Sequence, residues 1–138
     1  MVLYIALLYH YLCLGMLTFT PTATTVHLGL FREKTTLQPI EYYSRLPSDN
    51  SFDICYILDP VIATGGTTAA AIDMIKDWGV KNIRIICVNA SKSGLQYICQ
   101  IHPDVKIFVG LVEENFGPKG ELIPAVGDAG DRLFNSVI

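Results

Sequence analysis

Residues 54–78 read ICYILDPVIATGGTTAAAIDMIKDW, and the fold turns on this stretch. Ile54 to Leu58 is an apolar, β-favouring run without polar alternation, the pattern of a strand buried on both faces, and Asp59-Pro60 ends it. From Thr67 to Trp78 the residues are good helix formers, with Ala71, Ile75 and Trp78 at i, i+4 and i+7 on one face, and Gly79 supplies the stop. Ile83 to Val88 is the next strand. Ser91 to His102 reads as a second helix stopped before Pro103, with Leu95, Ile98 and Cys99 as its apolar side, and Val105 to Leu111 as a third strand. Strand, helix, strand, helix, strand at these spacings predicts right-handed crossovers and a parallel α/β sheet. Ligands of such sheets bind at the carboxyl ends of strands, which is where residues 59–68 fall.

Away from this frame the patterns change. Residues 26–45 (VHLGLFREKTTLQPIEYYSR) fit a hairpin with Arg32 to Gln38 as its polar turn and Pro39 toward one edge. Residues 112–138 lack a long periodic segment, and Gly117-Pro118 and Gly127 mark turns there. The whole chain is one domain's worth, 138 residues with 51% apolar and 17% charged, which excludes a disordered polymer. Ten basic residues against 13 acidic ones give no general attraction to nucleic acid or anionic lipid.

The charges are unevenly placed. Met1 to Phe31 contains no Asp, Glu, Lys or Arg, and Arg32 is the first charge. Met1 to Leu17 (MVLYIALLYHYLCLGML) is nearly all apolar and fits two things, a targeting or anchor segment or a buried strand or helix. No basic residue precedes the run, His10 and Tyr4, Tyr9 and Tyr11 interrupt it, and it is short for a membrane span of roughly 20 residues. Membrane association is therefore not expected. Cys13, Cys55, Cys87 and Cys99 include no Cys-x-x-Cys, and Cys55 and Cys87 sit in apolar runs where a reduced cysteine is a small hydrophobe. A cytoplasmic protein is the expectation.

Chemistry concentrates in Asp59 to Thr68, DPVIATGGTT. Gly65-Gly66 lets the backbone turn with its amides inward, Thr64, Thr67 and Thr68 bring hydroxyls, and the next helix presents its positive end, which together make a phosphate cradle. No Lys follows the glycines and the spacing is not GxGxxG, so the expected ligand is a monophosphate held by amides and hydroxyls. Asp59 is placed to face a sugar's hydroxyls or a metal-bound ligand. The plainer alternative is an ordinary βα turn with a Thr capping the helix. Gly127-Asp128-Ala129-Gly130-Asp131-Arg132 is a second small-residue segment bearing two carboxylates and a guanidinium; its plainer alternative is a helix cap by Asp128 or Asp131.

At these residues the chain resembles uracil phosphoribosyltransferase. The likeness covers GLFREKTTLQPIEYYSRLP, LDPVIATGGTTAAAID, WGVKNIRIICVNAS, IHPDVKIF and LIPAVGDAGDRLF, in the family's order and spacing. It implies a type I phosphoribosyltransferase fold, an α/β parallel sheet with a hairpin or flap region, incomplete at the N-terminus: residues 1–25 as a diverging segment and 26–138 as the phosphoribosyltransferase domain. It implies transfer of ribose 5-phosphate from phosphoribosyl diphosphate to N1 of uracil, giving UMP and pyrophosphate in pyrimidine salvage. Mg2+ enters with the donor rather than on protein ligands, GTP is an activator in some members, and a homo-oligomer is expected.

Residue by residue, Asp59, Pro60, Val61, Ile62, Ala63, Thr64, Gly65, Gly66 and Thr67 match the segment that holds the donor's ribose 5-phosphate. Arg32 matches an arginine on the diphosphate side. Leu122, Gly127, Asp128 and Ala129 match the uracil-reading segment, and Asp128 also matches a donor-contacting carboxylate, here expected to be catalytic. One stretch departs from the pattern: where the family's diphosphate loop reads Arg-Ala-Gly-Leu-Gly-Met, this chain has Tyr11-Leu12-Cys13-Leu14-Gly15-Met16. The arginine falls on Tyr11 and the first glycine on Cys13, a side chain expected to crowd backbone that approaches the ligand. The second expectation is therefore a relative that binds UMP or uracil without turnover, or an interaction subunit.

Overall fold

A computed structural model describes residues 1–7, 10–32, 39–44, 46–48, 51–116 and 122–123. In chain order the elements are β1 (Val2–Ala6), α1 (His10–Phe19), β2 (Thr24–Arg32), β3 (Pro39–Ser44), β4 (Ile54–Leu58), β5 (Val61–Ile62), α2 (Gly66–Trp78), β6 (Ile83–Ser91), α3 (Lys92–Ile101), β7 (Lys106–Glu113), β8 (Asn115–Phe116) and β9 (Leu122–Ile123). Seven strands form one sheet in the order β3-β2-β1-β4-β6, with β5 and β7 also paired to β6. Every pairing is parallel except that of β2 with the edge strand β3. The parallel sheet and the antiparallel hairpin are thus both present, the hairpin's turn at 33–38 lying outside the described residues.

The apolar opening of the chain is a strand at the middle of the sheet, between β2 and β4. Residues alternate sides along a strand. Leu3 and Ile5 of β1 face the cluster completed by Ala71, Ile72 and Ile75 of α2 and Ile98 of α3, whereas Tyr4 and Ala6 face Cys13 and Leu58 on the side where α1 packs. A strand buried on both faces has no room for a charge, which accounts for part of the charge-free start. A boundary after residue 25 would cut through β2. Among the described residues no helix is long and apolar enough to cross a membrane.

The predicted frame is present with extended ends. β4 spans the residues expected, α2 begins at Gly66, and Gly79 closes it at φ 111°, its amide donating to Lys76 O while Val80 N reaches Ile75 O. Ala71 and Ile75 are buried as expected; Trp78 is half-buried, its ring 5.7 Å from that of Phe52. On α3 the buried residues are Gly94 and Ile98, while Cys99 is exposed. Of the predicted apolar side, Ile98 is buried and Leu95 packs against the core, whereas Cys99 is not part of it and Gly94 takes a place there instead.

Candidate active site

From β1 the chain passes through α1 to β2 on one side; from β4 it passes through α2 to β6 on the other. The strand order therefore reverses between β1 and β4, and the crevice beyond their carboxyl ends is where a parallel sheet takes a ligand. β4 delivers its last residue, Leu58, directly into Asp59 at that crevice.

Asp59 does not face outward. Its residue is 3% exposed, Thr68 Oγ1 donates to its Oδ2 at 2.6 Å, and the Val61 amide also donates to its carboxylate. Burial pushes the carboxyl up to about 6, and the two hydrogen bonds oppose the rise. In this structure the side chain fixes the turn between β4 and β5. Thr68, one of three threonines expected to bring hydroxyls to the cradle, is likewise turned in. Its place was legible, because Thr68, Ala71, Ile72 and Ile75 share one helical face.

The rest of the turn is held by β6. Pro60 O accepts from the amides of Val88 at 3.2 Å and Asn89 at 3.0 Å, and Val61 and Ile62 pair with Asn89 and Ala90. Gly65 then adopts φ 81°, the left-handed region glycine tolerates. It is the cap residue of α2 and has no side chain with which to make a capping hydrogen bond. The cap position of this βα turn is thus taken by a glycine rather than by a threonine. The first amides of a helix are donors without intrahelical partners, and together with the macrodipole they favour an anion at this end.

Of the residues expected at the site, Asp59, Pro60, Val61, Ile62, Ala63, Thr64, Gly65, Gly66 and Thr67 are gathered in this one turn. Asp59, Ile62 and Gly65 are its buried side, and Val61 is on its outer side. Arg32 ends β2 opposite Pro39, and Leu122 pairs with Phe116 in the β8–β9 ribbon. Gly127, Asp128 and Ala129 lie outside the described residues.

Tyr11 to Met16 lie within α1. Cys13 is wholly buried against Tyr4, Ala6 and Leu58, its Sγ 3.7 Å from Thr25 Oγ1. The thiol therefore crowds the core rather than the crevice. Asn89 was not anticipated as a site residue; its buried Oδ1, beside the turn, has no hydrogen-bond partner among the described residues. No local sequence signal marks it, since its position depends on pairing with Val61.

The chain matches the family model for uracil phosphoribosyltransferase over residues 11–136. Uracil phosphoribosyltransferases of Clostridium perfringens and Dictyoglomus turgidum are 43% and 42% identical over 122 residues, 88% of this chain and 58–59% of theirs. The chain thus spans about 58% of the length of the curated relatives it matches. The AQ2163 protein of Aquifex aeolicus superposes with a TM-score of 0.88 at 36% identity, over 99% of this chain and 66% of that one. A purine phosphoribosyltransferase of Pyrococcus horikoshii shares the fold, with a TM-score of 0.61 at 16% identity, over 84% of this chain and 78% of its own. The reversal of strand order, the glycine turn on its crevice and a match running through nearly the whole sequence agree: the chain belongs to the uracil phosphoribosyltransferase family.

Proposed function

We propose that this chain binds phosphoribosyl diphosphate and uracil and transfers ribose 5-phosphate to N1 of uracil. The anomeric C–O bond breaks with its electron pair leaving on the diphosphate, the C–N1 bond forms, and N1 loses its proton, giving UMP and pyrophosphate. The observation that carries this reading is the Asp59–Thr67 turn at the switch point, anchored by β6 and leading into a helix whose cap residue is the left-handed Gly65. Such a turn suits the 5-phosphate, because backbone donors fixed in advance need no reorganisation when charge arrives. Mg2+ would enter with the donor rather than on protein ligands and would offset the charge of the diphosphate. Leu122, Gly127, Asp128 and Ala129 are assigned to uracil, and Asp128 to charge stabilisation or removal of the N1 proton. Cys55 and Cys87, whose thiols burial pushes up to about 12, act as hydrophobes and suit a reducing, cytoplasmic compartment.

A second reading, binding without turnover, is favoured by one observation. The stretch aligned with the family's diphosphate loop is taken up in α1, with Tyr11 where that loop has its arginine. Incubating the purified chain with labelled uracil, phosphoribosyl diphosphate and Mg2+ separates the two. Labelled UMP supports the enzyme; saturable UMP binding without product supports the second reading; neither result overturns both.

A further inference from the structure

Ser91 ends β6, caps α3 and is wholly buried. A buried hydroxyl needs partners for its proton and its lone pairs. Its oxygen accepts from the Gly94 amide at 2.9 Å, which is the N-cap bond of α3. Its proton goes to the carbonyl of Ala63, across in the turn before α2. The Ser93 hydroxyl lies 3.3 Å away. One oxygen atom therefore ties the start of α3 to the glycine turn.

Gly94 completes the joint. A Cβ on Gly94 would stand 2.3 Å from Ala63 O, and a Cβ on Gly65 would stand 2.8 Å from Gly94 O. Backbone presses on backbone in both directions. Neither glycine can gain a methyl group without displacing the other segment, and the contact spans 29 positions of sequence, from Gly65 to Gly94.

We propose that Ser91 and Gly94 are positioning residues for the turn at 63–66. From behind, they hold the backbone in the conformation whose amides, with the N-terminus of α2, receive a phosphate group. The inference rests on the phosphate reading of that turn and extends it to the first turn of α3. A site built from backbone amides has little affinity apart from its geometry, so loosening the turn transfers the ordering cost to the binding step.

The test uses the full chain, ribose 5-phosphate as probe, calorimetric titration and hydrogen exchange. In Ser91→Ala, exchange at 63–66 should quicken at least tenfold with β1 and β4 unchanged, and ribose 5-phosphate affinity should fall about tenfold. Ser91→Thr keeps the hydroxyl and should stay within threefold of wild type. Lys92→Ala, exposed in the same turn, should change neither quantity. Gly94→Ala probes the other half of the joint and should act as Ser91→Ala does. Should neither variant fold, wild-type exchange decides: ribose 5-phosphate must slow exchange at Gly94 together with 63–66, and its failure to do so overturns the proposal.

Folded variants with unchanged loop exchange and affinity overturn it as well, as does loosening spread equally through the sheet. A wild type that fails to bind ribose 5-phosphate overturns the phosphate reading and this inference with it. A wild type that binds, with variants that bind equally well, overturns the inference alone.

Discussion

Asp59 carries a carboxyl group that water hardly reaches, and its cost depends on pH. Folding favours its neutral form, since burial raises the carboxyl from 3.8 to about 6. The stability this contributes is complete below pH 3.8, the unfolded value, and is lost as pH rises through about 6. Asp53, beside the terminal amine, and Asp104, held by Lys76, are lowered instead, so their contributions fade only as pH falls below the ordinary carboxylate range. The windows do not overlap. Urea unfolding at pH 4, 5, 6 and 7 should show wild-type stability falling by on the order of 2 kcal/mol relative to Asp59→Asn across this range; a constant difference contradicts the assignment.

Gly65 is the other decisive residue. An alanine there must hold φ near 81° and also meet the Gly94 carbonyl at 2.8 Å. The backbone strain alone costs about 1 kcal/mol. Gly65→Ala should therefore lower the melting temperature by at least roughly 4 °C and weaken UMP binding further than that loss of stability explains. Thermal denaturation and titration with UMP check both.

At the scale of elements, α2 has a glycine as the cap residue at each end, and only Gly65 belongs to the turn proposed to receive a phosphate. Gly79 closes the far end at φ 111°, about 20 Å from the turn at 59–67 by the rise of a 13-residue helix. Gly79→Ala should cost about 1 kcal/mol and leave UMP affinity within twofold, as read by denaturation and calorimetry. β4, α2 and its Gly79 stop were legible in the sequence because each rests on local preference and periodicity. β6 was read to Val88 and runs to Ser91, since Asn89, Ala90 and Ser91 have no strand signature of their own and are ordered by β5 and β7. The inward Asp59 and the pressing of Gly65 on Gly94 were not legible, because each depends on where a second segment arrives.

At the scale of the molecule, the feature the sequence left open was its charge-free start. Composition could not separate an anchor from a buried strand; the pairing of Val2–Ala6 between β2 and β4 does so by making that run the centre of the sheet. On the α1 face of the sheet, among the described residues, an apolar groove of about 480 Å3 is lined by Tyr56, Arg84, Ile86 and Phe108 among others. The turn at 59–67 follows the carboxyl end of β4 and contributes no residue to this groove.

The central claim is that the turn from Asp59 to Thr67 receives the phosphate of a ribose 5-phosphate group. Backbone amide NMR of the uniformly labelled chain, titrated with UMP, tests it most directly. The account predicts saturable shifts largest at the amides of Thr64 to Thr68, reproduced by ribose 5-phosphate and absent with uridine up to the same concentration at those amides. Shifts that avoid this turn, or that uridine reproduces there in full, would contradict it.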